Sequence, residues 1–375
     1  MTTQFHFSWN SKLPSKEFRT GISLHSHTMH SHENLGFLPR YIRKIPVVSQ
    51  LVRAQEERYL LKVGRVMDYS TAYWTPPLPA REALDLERKQ IERLGMHGLV
   101  SLTDHDSIEA PALLHVLDEA QDVPMSFEWS VPLGESFIHL GVHNLPQREA
   151  HLIAGKLAVY TKTPDADLLG ELLEHLNTFP EVLVVFNHPL WDEARFGLAF
   201  HHAMARGFAQ RYGHWLHAFE LNGLRPWHEN RAVIEFAKSH GKPLISGGDR
   251  HGSEPNANIN LTNASTFSEF VDGIRSGASD VLFLPQYQEK IILRQMATAW
   301  DIMREYPEYT GRRLWSDRIF FETDDGGVKP LTNAWRTGPP PAVIRGFIGA
   351  LRLFNCRSVR SALRVALANQ EEVVL

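Results

Sequence analysis

Histidines and carboxylates gather in this chain in short clusters, and most of the clusters fall where an apolar run ends. Of its 20 histidines, the informative ones read His25-Ser26-His27, Thr103-Asp104-His105-Asp106, His139, Asn187-His188-Pro189 and Asp249-Arg250-His251, with Glu128 between the second and third. Residues so far apart share a chemistry only if the strands preceding them lie side by side and end on one rim. Imidazole nitrogens and carboxylate oxygens without thiolates suit Zn, Mn, Fe or Ni, and many such donors together can hold more than one ion.

The rest of the pattern agrees with such a rim. Short apolar, often β-branched runs at 21–25, 98–103, 125–131, 137–142, 182–186, 218–221, 243–246 and 281–284 predict strands. Between them, apolar residues recurring at three and four predict helices over 80–94, 167–177, 192–212, 229–240 and 266–276. Alternation of this kind is that of βα units around a parallel sheet or barrel, whose functional side chains meet at the C-terminal ends of the strands. Glu128 and His139 lie inside their runs and must point inward from the strands themselves. Two stretches fall outside the alternation. One is a long insertion, about 34–79, with a basic stretch at 40–44 and a helical segment at 54–62. The other is residues 286–375, expected as a C-terminal helical extension broken by Gly326-Gly327 and by the Gly-Pro run at 338–341.

Composition bounds the partners. The 375 residues suffice for one large barrel-type domain, expected over 1–285, and an appendage. A net charge of −4 and a pI near 6.6 argue against extended nucleic acid, so an anionic substrate needs a local device. Cys356 is the only cysteine, which excludes an internal disulfide and a thiolate cluster and fits a reducing compartment. With no secretory pattern at 1–10 and no apolar stretch of about 20 residues, the expectation is a cytoplasmic protein without a membrane partner.

Each cluster also has an ordinary reading. A His-x-His pair at a strand end sends both rings to one face, but occurs by chance as well; its repetition as Asp249-x-His251 makes chance a poor account. Asp106 can cap the following helix while His105 serves as a ligand and Asp104 supports it from behind. Glu128, in Met125-Ser126-Phe127-Glu128-Trp129, is costly to bury unless a cation compensates it. His139 is otherwise a satisfied core histidine, and His188 an ordinary strand exit. Arg225 and Arg250, beside strand-end motifs, are candidate phosphate clamps, with a surface ion pair as the alternative for Arg225. Trp74, Trp191 and Trp227 lie near rim-type segments and either stack on a base or serve packing.

In order and type these residues resemble the polymerase and histidinol phosphatase (PHP) superfamily over about residues 20–285: HxH (His25, His27), TDHD (Asp104, His105), a mid-chain Glu128, His139, an NHP-type His188 and DxH (Asp249, His251). The resemblance implies a distorted (β/α)7 barrel and a centre of two to three divalent ions, Zn, Mn or Fe. His25, His27, Glu128 and Asp249 would hold one ion, and Glu128, His139 and His188 its neighbour, with Glu128 bridging and also the leading catalytic carboxylate. A third would take His105, His251 and either Glu33 or, as the alternative, His32. The function implied is a phosphoesterase acting on a small phosphorylated substrate. A nuclease for nucleic-acid ends, a hydrolase of other ester or amide bonds and a non-catalytic metal-stabilised barrel are the competing readings. The amphipathic segment 342–354, followed by Arg357, Arg360 and Arg364, is expected to pack back on the outer helices or to form a homo-oligomer contact.

Overall fold

Strands in this chain are short and buried along their length. In the computed structural model, which describes residues 3–10, 17–43, 46–64, 66–323, 326–335 and 342–366, β2 (Thr20–Ser23), β8 (Leu183–Phe186), β9 (Ala218–Asn222) and β10 (Leu244–Gly247) consist of buried residues only. Strands covered on both faces need this composition. With β1 (Gln4–Phe7), β5 (His97–Val100), β11 (Asn258–Thr262) and β12 (Asp280–Phe283), β2 forms a five-stranded sheet in the order β1-β12-β11-β2-β5. The second five-stranded sheet runs β10-β9-β8-β7-β6, with β6 at Met125–Leu133 and β7 at Ser136–Leu145.

Helices cover these sheets: α3 (Ala80–Glu92), α4 (Glu109–Leu114), α5 (Ala150–Lys162), α6 (Ala166–Asn177), α7 (Leu198–Tyr212), α8 (Trp227–Ser239) and α9 (Phe267–Arg275). Their registers follow from spacing and caps. In α9 the Thr266 hydroxyl accepts from the N–H of Glu269 at 3.2 Å, and Phe267, Phe270, Val271 and Ile274 all face the core.

Three expectations need correction. The runs at 125–131 and 137–142 are not separate βα units: β6 and β7 form an antiparallel hairpin through Gly134, at φ 63°, and β7 is antiparallel to β8 as well. A helix expected from 192 begins at Leu198, because the Asp192 carboxylate accepts from the N–H groups of Phe196 and Gly197 and holds 192–197 as a turn. The C-terminal extension is not wholly helical. Its hairpin of β13 (Ile319–Glu322) and β14 (Val328–Pro330) pairs with β4 (Tyr73–Trp74) and so with β3 (Glu33–Asn34), giving a third sheet β14-β13-β4-β3 shared by insertion and extension. Helices fill the remainder of both stretches: α1 (Leu38–Ile42), α2 (Pro46–Val63), α10 (Ile291–Met303), α11 (Ala342–Phe354) and α12 (Arg357–Ala366). The Gly-Pro run at 338–341 and Lys44 lie outside the described residues. Leu351 of α11 is buried and Asn355 bonds to the Met296 carbonyl of α10, while Arg360 and Arg364 pair with Glu289.

The two five-stranded sheets are separate ladders that meet at their C-terminal ends. Beyond β2 and β10, Gly248 N–H donates to Leu24 O (3.1 Å) and His27 N–H to Arg250 O (2.9 Å); beyond β5, Asp106 N–H donates to Glu128 O (2.8 Å). The chemistry-bearing residues sit along this seam. No helix among the described residues is long and apolar enough to cross a membrane.

Candidate metal centre

Every strand contributing to the seam delivers one or two donors to a common buried volume. The exits of β2 and β10 supply His25, His27, Asp249 and His251; that of β5 supplies His105; that of β8 supplies His188; and the β6–β7 hairpin supplies Glu128 and His139. Backbone geometry at these exits is unusual. His25 (φ 63°), His188 (φ 25°) and Asp249 (φ 50°) adopt left-handed conformations without being glycine. Such residues cost about 1–3 kcal/mol each and persist where surrounding structure holds them, most often at functional sites.

Glu128 lies at the middle, fully buried. Its Oε2 is 3.1 Å from His25 Nε2, 3.4 Å from His27 Nε2 and 3.4 Å from His105 Nε2. Its Oε1 is 3.3 Å from His188 Nε2 and 3.5 Å from His139 Nδ1, and accepts from Asn187 Nδ2 at 2.9 Å. One carboxylate thus faces two sets of imidazoles with its two oxygens. Asp249 Oδ1 adds a donor 3.5 Å from His27 Nε2. Glu33 Oε2 lies 3.2 Å from His105 Nε2 and 3.1 Å from His251 Nε2. Of the two neighbours, Glu33 at the start of β3 is buried, whereas His32 before it is exposed and stacks on Tyr73 at 4.2 Å.

These separations test whether the residues fit metal ions. Donors bound to one ion at about 2.0–2.2 Å stand about 3.0–3.5 Å apart. The pairs above match that range, and His27, Glu33, His105 and His251 all offer donor atoms within 4.8 Å of one another. His25 Nε2, His27 Nε2 and Glu128 Oε2 are buried and form no hydrogen bond despite their closeness, as donors converging on an ion do. His25 Nδ1 lies 2.6 Å from Glu220 Oε2, which leaves Nε2 bare toward the centre. The donor set fits divalent metal ions.

Electrostatics without ions agree. Burial alone would push the Glu128 carboxyl up, but His25, His139 and His105 outweigh it and hold it well below the carboxylate range. Burial would lower His251, yet Glu33 raises it to about 9; His27, buried and beside His251, is lowered to about 4.

The other anticipated residues are placed differently. Asp104 faces away from the centre and accepts from Thr28 N–H (2.5 Å) and Thr28 Oγ1 (2.7 Å), fixing the loop that carries His27. Arg225 is at the rim, its Nη2 3.5 Å from Asp249 Oδ2 and its guanidinium 3.3 Å from the centroid of the Trp191 ring. Arg250 is not at the rim. It is buried beneath it, Nε 2.9 Å from Glu87 Oε1 and its other nitrogens on Gly252 O and His27 O, so it has nothing left for a substrate. Trp227 packs in the core against Phe283, whereas Trp74 lies 5.5 Å from His251. Three residues escaped the sequence reading. They are Glu220, Asn187 and Glu193, the last with Oε2 3.6 Å from His139 Nδ1 and its carboxyl raised by burial. An acid within the apolar run Ala218-Phe219-Glu220-Leu221 carries the same signal as Glu128.

No family model and no curated protein matches the chain. Among solved structures it is similar to PsfC from Pseudomonas syringae, at 14% identity over 59% of this chain and 88% of that one, TM-score 0.39. It is also similar to an amidohydrolase from Chromobacterium violaceum (12% identity, 68% and 96%, TM-score 0.38). A two-domain protein from Bacteroides vulgatus containing a predicted PHP-like metal-dependent phosphoesterase gives 10% identity, 70% and 64%, and a TM-score of 0.34. The resemblance to the PHP superfamily stands on the ordered residues themselves, which the fold gathers into one centre.

Proposed function

We propose that this chain is a metal-dependent phosphoesterase acting on a small phosphorylated substrate, with the seven strands β2, β5, β6, β7, β8, β9 and β10 acting as a distorted barrel closed through the seam. The observation that carries this reading is Glu128, whose two oxygens face separate sets of imidazoles. His25, His27 and Asp249 would hold one ion together with Glu128, His139 and His188 would hold another with it, and Glu33, His105 and His251 would hold a third. Bound divalent ions supply Lewis acidity, activating water and neutralising charge on a phosphoryl group.

The protein's part is placement. Asn187 fixes Glu128 Oε1, Glu220 fixes the ring of His25, and Asp104 fixes the turn at Thr28, so the donors meet an ion without rearrangement. Arg225, stacked on Trp191 beside Asp249, is a cation next to the centre and suits two oxygens of a phosphate monoester. A net charge of −4 favours a small substrate over a nucleic-acid track.

Metal-replete protein is expected to carry about two to three divalent ions per chain and to hydrolyse p-nitrophenyl phosphate, while a lactone and an anilide offered in parallel stay intact. Glu128→Gln should abolish turnover and weaken metal binding, since an amide cannot supply charge to two ions; the exposed His151→Ala should change neither. Metal-free protein with no activation by Mn or Zn would overturn the reading, and turnover of only the lactone or anilide would overturn the phosphate assignment.

A further inference from the structure

We propose that Glu193 is an additional metal donor, completing the coordination of the ion held by His139 and His188; this rests on the metal-centre reading above. Three donors, Glu128 Oε1, His139 and His188, surround that position from the strands. Glu193 approaches it from the turn after β8, and its Oε2 is 3.6 Å from His139 Nδ1, the same nitrogen that lies 3.5 Å from Glu128 Oε1. A separation of 3.6 Å is too long for a hydrogen bond. It is close to the distance between two neighbours on one tetrahedral ion, and close to the other donor pairs of the centre. His139 Nδ1 therefore has two carboxylate oxygens near it, at 3.5 and 3.6 Å.

The turn is built to hold Glu193 there. Asp192 accepts from Phe196 N–H and Gly197 N–H at 3.1 and 2.6 Å, Trp191 N–H donates to His188 O at 2.9 Å, and Glu193 N–H donates to Trp191 O at 3.2 Å. From outside, Arg40 of α1 donates to Ala194 O at 2.9 Å. The side chain keeps 33% of its exposure, so it borders the open side of the centre and not its packed floor. A carboxylate at the open side also disfavours a bare anion there unless an ion neutralises it, which bound metal does.

The experiment titrates stripped protein with Co(II) and follows both the d–d absorption and the heat of binding, comparing the parent chain with Glu193→Gln and Glu193→Ala. Melting curves of the stripped forms control for folding. The expected result is loss or at least roughly tenfold weakening of one class of site in both variants, with a changed absorption spectrum, the remaining ions being bound as before. If the parent binds Co(II) and both variants match it in stoichiometry, affinity and spectrum, Glu193 is not a donor and only this inference falls. If the parent binds no Co(II), the metal-centre reading falls with it.

Discussion

His251 shows what the donors do before an ion arrives. Burial would favour its neutral ring, but Glu33 at 3.1 Å outweighs burial and raises it to about 9. A histidine raised in this way contributes stability that is fully present below its unfolded value, about 6.5, and lost as pH rises through about 9. His27, lowered to about 4, contributes a slope of the opposite sign, its destabilisation being relieved as pH rises from about 4 to about 6.5, below this window. Metal-stripped protein is therefore expected to lose melting temperature steadily from about pH 6.5 to about pH 9, while metal-loaded protein, whose ions replace those protons, gains affinity for them over the same range. Calorimetry of both forms checks this; a flat profile for the stripped form would contradict it. That these residues gather was legible in the sequence because imidazoles and acids at strand exits are chemically conspicuous. Arg250 was misplaced by a rule that the same residues obey: the alternation that aims Asp249 and His251 inward turns Arg250 away, just as it turns Ser26 away between His25 and His27. Both outward residues reach Glu87, at 2.9 Å from Arg250 Nε and 3.4 Å from Ser26 Oγ.

At the scale of elements, the buried strands were legible because a continuous apolar run bounded by polar residues has few other uses. Pairing direction was not. The hairpin of β6 and β7 turns on Glu135 and Gly134 between two runs that read as independent strands, and nothing in either run says that the link is antiparallel. The third sheet was invisible for a related reason: β3 and β4 have two residues each, too few for any periodicity, and their partner β13 lies far along the chain. Yet this sheet seats Glu33. Trp74 pairs with Glu33 on one side and with Ile319 on the other, so the C-terminal hairpin braces the strand that carries a donor. Removing residues 319–375 should unseat Glu33 and lower metal content by roughly one ion per chain, whereas removing only 342–375 should leave the content unchanged while uncovering α10. Elemental analysis of the two truncated chains, with circular dichroism as a folding control, decides the matter. Equal metal content would mean that Glu33 needs no brace.

The molecule as a whole depends on the seam, and the seam is pinned from below by one ion pair. Glu87 of α3 is fully buried and accepts from Ser23 Oγ of β2 at 2.9 Å and from Asn256 N–H, while Arg250 Nε lies 2.9 Å away and Arg250 also donates to His27 O. Burial pushes the Glu87 carboxyl up and Arg250 opposes it. Helix α3, the exit of β2, the exit of β10 and the segment before β11 thus converge on one carboxylate, directly beneath the cluster of histidines and carboxylates. Removing one partner of such a pair leaves a buried charge uncompensated and costs about 3–5 kcal/mol. Arg225 has a different place, against Trp191, with its Nη2 3.5 Å from Asp249 Oδ2, a contact at the outer limit of a hydrogen bond. The two arginines should therefore separate cleanly. Arg250→Met is expected to lower unfolding free energy by about 3–5 kcal/mol, with part of the loss restored when Glu87→Gln is added. Arg225→Met is expected to cost less stability than Arg250→Met while weakening inhibition by inorganic phosphate at least roughly tenfold. Urea unfolding and phosphate inhibition, measured on the same four chains, test both halves. If Arg250→Met unfolds like the parent, the seam is not pinned through Glu87; if Arg225→Met keeps its sensitivity to phosphate, the rim arginine does not hold the substrate.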